Sequence, residues 1–288
     1  MTALTVLITG GSGQLGRELV RRAPPHARLH VTWRRTPPPD VGPEAHRLDL
    51  ADGQATLRLF QRVRPDVVVH TASGFREETL AQDVVAATRA VAEAARALGV
   101  PLIHLSTDLV FDGERAPYSE GDEPAPVHPY GHAKAEAERT VRALGPGAAI
   151  VRTSLLVRGT PPDRNSAWVV EALRAGRPVE LFADELRCPL AIEDLAAQVW
   201  ELVALPAEER AGPWHLAGPE AISRFALGLL LAHYHGLDAR LVRPAWQRDF
   251  PHPRPRDVRL RTDRADRVLA VRPRPISGVL ARAGRAPR

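Results

Sequence analysis

This sequence predicts a doubly wound α/β fold, in which helices cover both faces of a parallel sheet, followed by a smaller lobe. Three observations carry the prediction. Apolar runs of strand length alternate with helical patterns through the first half of the chain. The runs are continuous rather than alternating in polarity, as strands buried on both faces must be. A glycine-spaced turn, Gly10-Gly11-Ser12-Gly13-Gln14-Leu15-Gly16, directly follows the first run.

Leu4 to Ile8 reads as a buried strand, and the glycines after it open a helix that runs through Arg22. Leu29 to Thr32 is a second strand, ending at Trp33-Arg34-Arg35 and a proline turn, because proline fixes φ and lacks an amide donor. Ala45 to Leu48 is a short third strand, Ala55 to Val63 is helical, and Asp66 to His70 is a valine-rich fourth strand. Thr79 to Leu98 carries an alanine-rich helical period. Leu102 to Ser106 is a fifth strand, Tyr130 to Leu144 a helix, and Ala148 to Thr153 a sixth strand. After about Ser154 the rhythm changes. Helices are expected at Ser166 to Arg174, Ile192 to Val203 and Ser223 to His235, with short strands at Val179 to Leu181 and Trp214 to Leu216. Pro251 to Pro255 is irregular.

Composition narrows the class. Of 288 residues, 44% are hydrophobic and 25% charged, which is ordinary for a globular chain. The single cysteine, Cys188, excludes an internal disulfide and a cysteine-rich metal site. No apolar run reaches the ~20 residues that span a bilayer, and the N-terminus lacks the basic region of a signal peptide, so a cytoplasmic location is expected. A net charge of +5 invites a nucleic-acid reading. The arginines are scattered among acids, however, and aromatic residues are 5%, too few for a base-stacking platform. Anionic, phosphate-bearing ligands account for the charge as well as nucleic acid does.

Gly10, Gly13 and Gly16 lie between a strand and a helix, the context in which such spacing has chemical meaning. Missing side chains let the backbone turn tightly and approach a pyrophosphate, whose charge meets the free N–H groups where Gln14 and Leu15 begin the helix. An NAD enzyme places an acid at the end of its second strand; here Arg34 and Arg35 stand there and suit a 2′-phosphate, which favours NADPH. Asp49, followed by Leu50, is placed to accept from an adenine amino group, although it could equally cap the next helix. Thr71-Ala72-Ser73 follows the fourth strand with small residues that let a cofactor pass. We therefore expect a Rossmann-type dinucleotide-binding domain over residues 1–154. Residues 155–288 form a substrate-binding lobe interleaved with the last strands of the sheet.

Lys134 is the only lysine among 39 basic side chains, and it stands four residues after Tyr130, on the same face of a helix. A phenol with a reference pKa near ~10 is a poor proton donor or acceptor at neutral pH unless a cation favours its phenolate. An ammonium is a compact charge with three donors that can also sit beneath a ribose, and a forked guanidinium does not replace it. Ser106 and Thr107 end the fifth strand, where a hydroxyl could join the phenol on a developing alkoxide.

Taken with Arg64-Pro65-Asp66-Val67-Val68-Val69, Ser106-Thr107-Asp108-Leu109-Val110-Phe111-Asp112-Gly113, Pro129-Tyr130-Gly131-His132-Ala133-Lys134 and Ile150-Val151-Arg152-Thr153-Ser154, these motifs resemble the extended short-chain dehydrogenase/reductase family. Within it they look most like the dTDP-4-dehydrorhamnose reductase group. The late segment Arg254 to Leu260 resembles that group's substrate-side signature. The resemblance implies Tyr130 as acid, Lys134 as its tuner and ribose ligand, and Thr107 as the hydroxyl that positions a carbonyl. It places Ser106, Asp108 and Arg254 on the substrate side. It also implies hydride transfer from NADPH, with NADH as the alternative, to the C4 ketone of a nucleotide-linked deoxysugar, and it allows a homodimer. The chain departs from the pattern at Leu109, where a tyrosine is usual, and at Leu155, where a tryptophan is common. Phe75-Arg76-Glu77-Glu78 replaces an acidic stretch. Two other readings remain: a sugar-nucleotide epimerase or dehydratase retaining NAD, against which Arg34 and Arg35 argue, and a non-catalytic nucleotide-binding regulatory subunit.

Overall fold

A computed structural model describes residues 4–38, 44–74, 76–145, 147–251 and 253–281. Phe75 and the outermost residues of both expected domains lie outside them. The first half runs β1 (Leu4–Thr9), α1 (Gln14–Arg21), β2 (Ala27–Trp33), β3 (Ala45–Arg47), α2 (Gly53–Val63), β4 (Val67–His70), α3 (Ala87–Leu98), β5 (Leu102–Thr107), α4 (Pro129–Leu144) and β6 (Ala149–Thr153). The second half runs β7 (Leu156–Val157), α5 (Arg164–Arg174), β8 (Val179–Phe182), β9 (Leu186–Arg187), β10 (Leu190–Ala191), α6 (Ile192–Ala204) and α7 (Ala207–Arg210). It ends with β11 (Gly212–Leu216), β12 (Ile222–Ser223), α8 (Arg224–Tyr234), β13 (Val242–Ala245), α9 (Asp263–Val268) and α10 (Ile276–Ala281).

Seven parallel strands form the central sheet in the order β11-β6-β5-β4-β1-β2-β3. The order reverses between β1 and β4, and the connections that leave their carboxyl ends run in opposite directions, the switch point at which open α/β sheets bind ligands. The continuous apolar runs feed two layers at once. Val6 and Ile8 face one buried cluster with Leu195, Val199 and Trp214, while Leu7 between them faces another with Phe60 and Val91. Val67 and Val69 divide from Val68 in the same way. Both faces are therefore covered, α1 and α6 on one side and α2 and α3 on the other.

Local chemistry fixes the helix starts. Asp52 caps α2 by accepting from the Ala55 amide, so the capping role considered for Asp49 belongs to Asp52. Pro129 opens α4, and His128 accepts from the Tyr130 amide at 3.2 Å, which holds Tyr130 in the first turn. A methyl on Gly131 would collide with the Leu109 carbonyl, so α4 packs against that turn only through glycine.

One element departs from its expected form. The helix read from Thr79 to Leu98 is a 3₁₀ turn at Glu77–Thr79, a π-helical turn at Ala81–Ala86 and then α3. In the second half, β11 joins the central sheet beside β6, and α6 packs on α1, with the Trp200 indole donating to the Leu19 carbonyl at 3.0 Å. The remaining short strands pair as β7 with β10, β9 with β12 and β8 with β13. Elements of two residues have no period for a sequence pattern to reveal.

Candidate active site

The glycine turn closes tightly against β4. Gly10 has φ +71°, and a methyl there would lie 2.8 Å from the Ala72 Cα; one on Gly16 would strike the Gly10 carbonyl. Gly13 stands as the N-cap of α1 with no side-chain bond to the first-turn amides, beside half-buried Gln14. The side chain of Leu15 turns into the core, so only its backbone can serve a ligand. Thr9 ties the two strand ends together. Its hydroxyl meets His70 Nδ1 at 2.7 Å and the Ala72 amide at 3.3 Å, while Thr71 donates to its carbonyl at 2.7 Å. Ser73 continues this edge toward Tyr130.

At the far end of the crevice, Arg34 is engaged by protein carboxylates: Asp83 at 2.5 Å and Asp49 at 3.8 Å. The Arg34 hydrogen bond holds the Asp83 carboxyl below its ordinary value despite partial burial. Arg35 is exposed, and Gln82 donates to Asp49 at 3.4 Å. Leu50 is buried in the second core cluster, with its carbonyl accepting from Thr56 at 3.1 Å. Sequence reasoning missed Asp83 because its position depends on the π-helical turn.

Tyr130 is half-buried, with its hydroxyl 3.4 Å from the Ser73 hydroxyl. Burial pushes the phenol up to about 12; the Ser73 hydrogen bond opposes this, the Asp108 charge adds to it, and the Arg164 charge on α5 opposes it. Lys134 is buried and donates to the Leu105 carbonyl at 2.5 Å, with His104 Nε2 at 3.5 Å. Burial lowers its amine to about 8, partly offset by Glu138. The Lys134 charge adds to burial in depressing His70 and His104. The amine reaches across to β5.

The hydroxyls at the end of β5 part company. Ser106 donates at 2.5 Å to Glu138, which pairs with fully buried Arg152 at 3.0 Å, so Ser106 is committed to α4. Thr107 donates to Asp108 at 3.2 Å and accepts from the Leu109 amide at 3.3 Å. Asp108 has no exposed surface. Arg187 takes both of its oxygens, the Nε bond measuring 2.8 Å, and Ser154 donates at 2.7 Å. Arg187 also reaches Glu185 at 3.2 Å, and Glu185 receives Arg254 at 3.2 Å. Arg254, partly exposed, lies 5.5 Å over Phe182, which meets Phe250 edge-on. This relay from Asp108 to the surface was not visible in sequence, since Arg187 lies 79 residues from its partner.

His30, Glu44 and His46 bring three potential metal donors within 4.8 Å. The Arg62 guanidinium meets His46 Nδ1 at 3.2 Å and can only donate, so neutral His46 carries its proton on Nε2, facing His30 Nδ1 at 3.1 Å. With Arg28 on Glu44 at 2.8 Å, the cluster is linked by hydrogen bonds and ion pairs.

A Rossmann sheet that gathers a glycine turn, a threonine and a Tyr–Lys helix at its carboxyl edge defines an NAD(P)-dependent oxidoreductase of the short-chain dehydrogenase/reductase type. The model of the RmlD substrate binding domain family matches residues 4–283, and the chain belongs to that family. A dTDP-4-dehydrorhamnose reductase of Mycobacterium tuberculosis is 32% identical over 87% of this chain and 82% of its own. The methionine adenosyltransferase 2 subunit beta of Rattus norvegicus is 28% identical over 83% of this chain and 74% of its own. The crystal structure of dTDP-4-dehydrorhamnose reductase from Bacillus anthracis in complex with NADP superposes with a TM-score of 0.83, covering 98% of each chain at 23% identity, a likeness of fold.

Proposed function

We propose that this protein reduces the C4 ketone of a nucleotide-linked deoxysugar at the expense of NADPH. One observation carries the reading: Tyr130 and Lys134, on one face of α4, stand at the carboxyl edge of the sheet beside the glycine turn, with the phenol 3.4 Å from Ser73. Residues 1–154 would hold the coenzyme and residues 155–288 the sugar nucleotide.

The bound coenzyme supplies a hydride to the carbonyl carbon. Tyr130 would give its proton to the oxygen that becomes the alcohol, and Thr107, turning its hydroxyl proton from Asp108, would orient that oxygen. An ammonium has three donors; Lys134 spends one on the Leu105 carbonyl and aims another at His104, and the third would be left for a ribose hydroxyl of the coenzyme. Gly10, Gly13 and Gly16 admit the pyrophosphate to the start of α1. The Phe182–Phe250 pair beside Arg254 supplies the aromatic and cationic surface that Leu109 and Leu155 do not; Leu155 packs into the core with Leu227 and Leu231. No described helix is long and apolar enough to cross a membrane, and the reading assigns the protein to the cytoplasm, where coenzyme and sugar nucleotides are at hand.

The test is NADPH oxidation across a panel of nucleotide-linked 4-keto deoxysugars, with NADH run in parallel. Turnover of at least one sugar is expected, and no oxidation of either coenzyme with any sugar overturns the proposal. The likeness to a methionine adenosyltransferase beta subunit favours one second reading, a regulatory subunit. A partner enzyme co-purifying at fixed stoichiometry, together with a silent panel, would establish it.

A further inference from the structure

Arg34, the residue placed to meet a 2′-phosphate, is already claimed. Thr79 donates to one oxygen of Asp83 at 2.9 Å, and the other lies 2.5 Å from Arg34 Nη1. Asp83 is held from behind as well: a methyl on Gly74 would come within 2.5 Å of its Cβ, so this glycine in the loop after β4 makes room for it. The π-helical turn Ala81–Ala86 presents it. The Asp83 side chain keeps 9% of its exposure and that of Arg34 32%, so the carboxylate is the fixed partner and the guanidinium the more open one. With Asp49 at 3.8 Å, the charges of Arg34 and Arg35 are matched by those of Asp49 and Asp83.

We infer that Asp83 determines coenzyme specificity: its carboxylate competes with the 2′-phosphate of NADPH for Arg34, so the site accepts NADH as well. This rests on the reductase reading above. A phosphate dianion arriving at Arg34 must share the guanidinium with a carboxylate that cannot withdraw, and the like charges oppose each other. A free ribose 2′-hydroxyl brings a donor instead, for which a carboxylate is the natural partner. The arginines alone would make a site selective for NADPH; Asp83 opens it to both coenzymes.

Asp83→Asn is the informative change, because the amide keeps the shape: its oxygen can still accept from Arg34 while its NH2 donates to the Thr79 hydroxyl, which in turn can donate to the Arg76 carbonyl. Dissociation constants for NADPH, NADH and the fragments 2′,5′-ADP and 5′-AMP are measured by fluorescence titration or calorimetry, with no substrate present. The NADPH-over-NADH preference is expected to rise on the order of tenfold, through tighter NADPH and 2′,5′-ADP, as removal of one closely opposed charge allows. Unchanged 5′-AMP affinity shows that the variant is folded. In an Arg34→Ala background the same substitution is expected to move the preference less than twofold. An unaltered preference in Asp83→Asn, with both coenzymes still bound, overturns the inference and leaves the reductase reading standing; so does an equal shift with Arg34 absent. A wild-type protein that binds neither coenzyme overturns both.

Discussion

Glu138 and Arg152 form an ion pair with no exposed surface, 3.0 Å apart, on the face of α4 that carries Lys134 one turn earlier. The Glu138 carboxylate also takes the Ser106 hydroxyl, so a single side chain fastens α4 to both β5 and β6. The face of the helix that carries Tyr130 and Lys134 is thereby fixed relative to the strand ends that define the crevice. Structural charge and chemical charge lie on one helix face, and substitutions can separate them.

Glu138→Gln leaves Arg152 with an uncompensated charge in a site without water contact. Removing one partner of a buried pair costs about 3–5 kcal/mol. A loss of that size in urea unfolding is expected, and a midpoint equal to wild type would show that Arg152 finds another counter-charge.

Ser106→Ala separates the two roles that a hydroxyl at the end of β5 could play. Its committed bond to Glu138 predicts a stability loss of about 1.5–3 kcal/mol, the worth of a hydrogen bond to a charged group. KM for the sugar nucleotide and kcat should stay within about twofold of wild type. A tenfold fall in kcat with unchanged stability would return Ser106 to the substrate side.

Tyr130→Phe removes the proposed proton donor and one hydroxyl contact with Ser73 while keeping the ring. General acid groups contribute about 10²–10⁴-fold, so single-turnover hydride transfer should slow by at least the lower figure. The NADPH dissociation constant should remain within about twofold. A near-normal rate removes Tyr130 from the chemistry.

What the sequence made legible was whatever is written locally. Continuous runs such as Val67-Val68-Val69 announced strands buried on both faces, and the packing of those valines into two clusters is the physical form of that pattern. Gly10 and Gly16 announced close backbone approach, and Tyr130 with Lys134 announced a shared helix face. What stayed hidden depends on distant partners. Asp83 meets Arg34 from a π-helical turn, and Arg187 reaches Asp108 only once β9 lies beside the turn that follows β5. Both acids and arginines are common here, so no spacing marked these pairs. Lys134 stood out by composition, but the direction of its amine, toward the Leu105 carbonyl, is a property of packing.

That direction yields the last prediction. Burial lowers the Lys134 amine from 10.5 to about 8. Between those values the unfolded chain holds a proton that the folded chain has released, so this residue makes stability rise with pH across that window. Below about 8 the amine is charged in both states, and the full cost of burying it is present. Lys134→Met has no amine to titrate. The stability difference between wild type and Lys134→Met, followed by urea unfolding from pH 7.5 to 10.5, should shift progressively in favour of wild type. Lys134→Arg keeps a cation at every pH but cannot fit a forked group where one Nζ meets the Leu105 carbonyl at 2.5 Å, so it should lose both stability and turnover. A flat difference across the window would mean that the amine keeps its ordinary affinity for protons, and full activity in Lys134→Arg would mean that any positive charge suffices at this position.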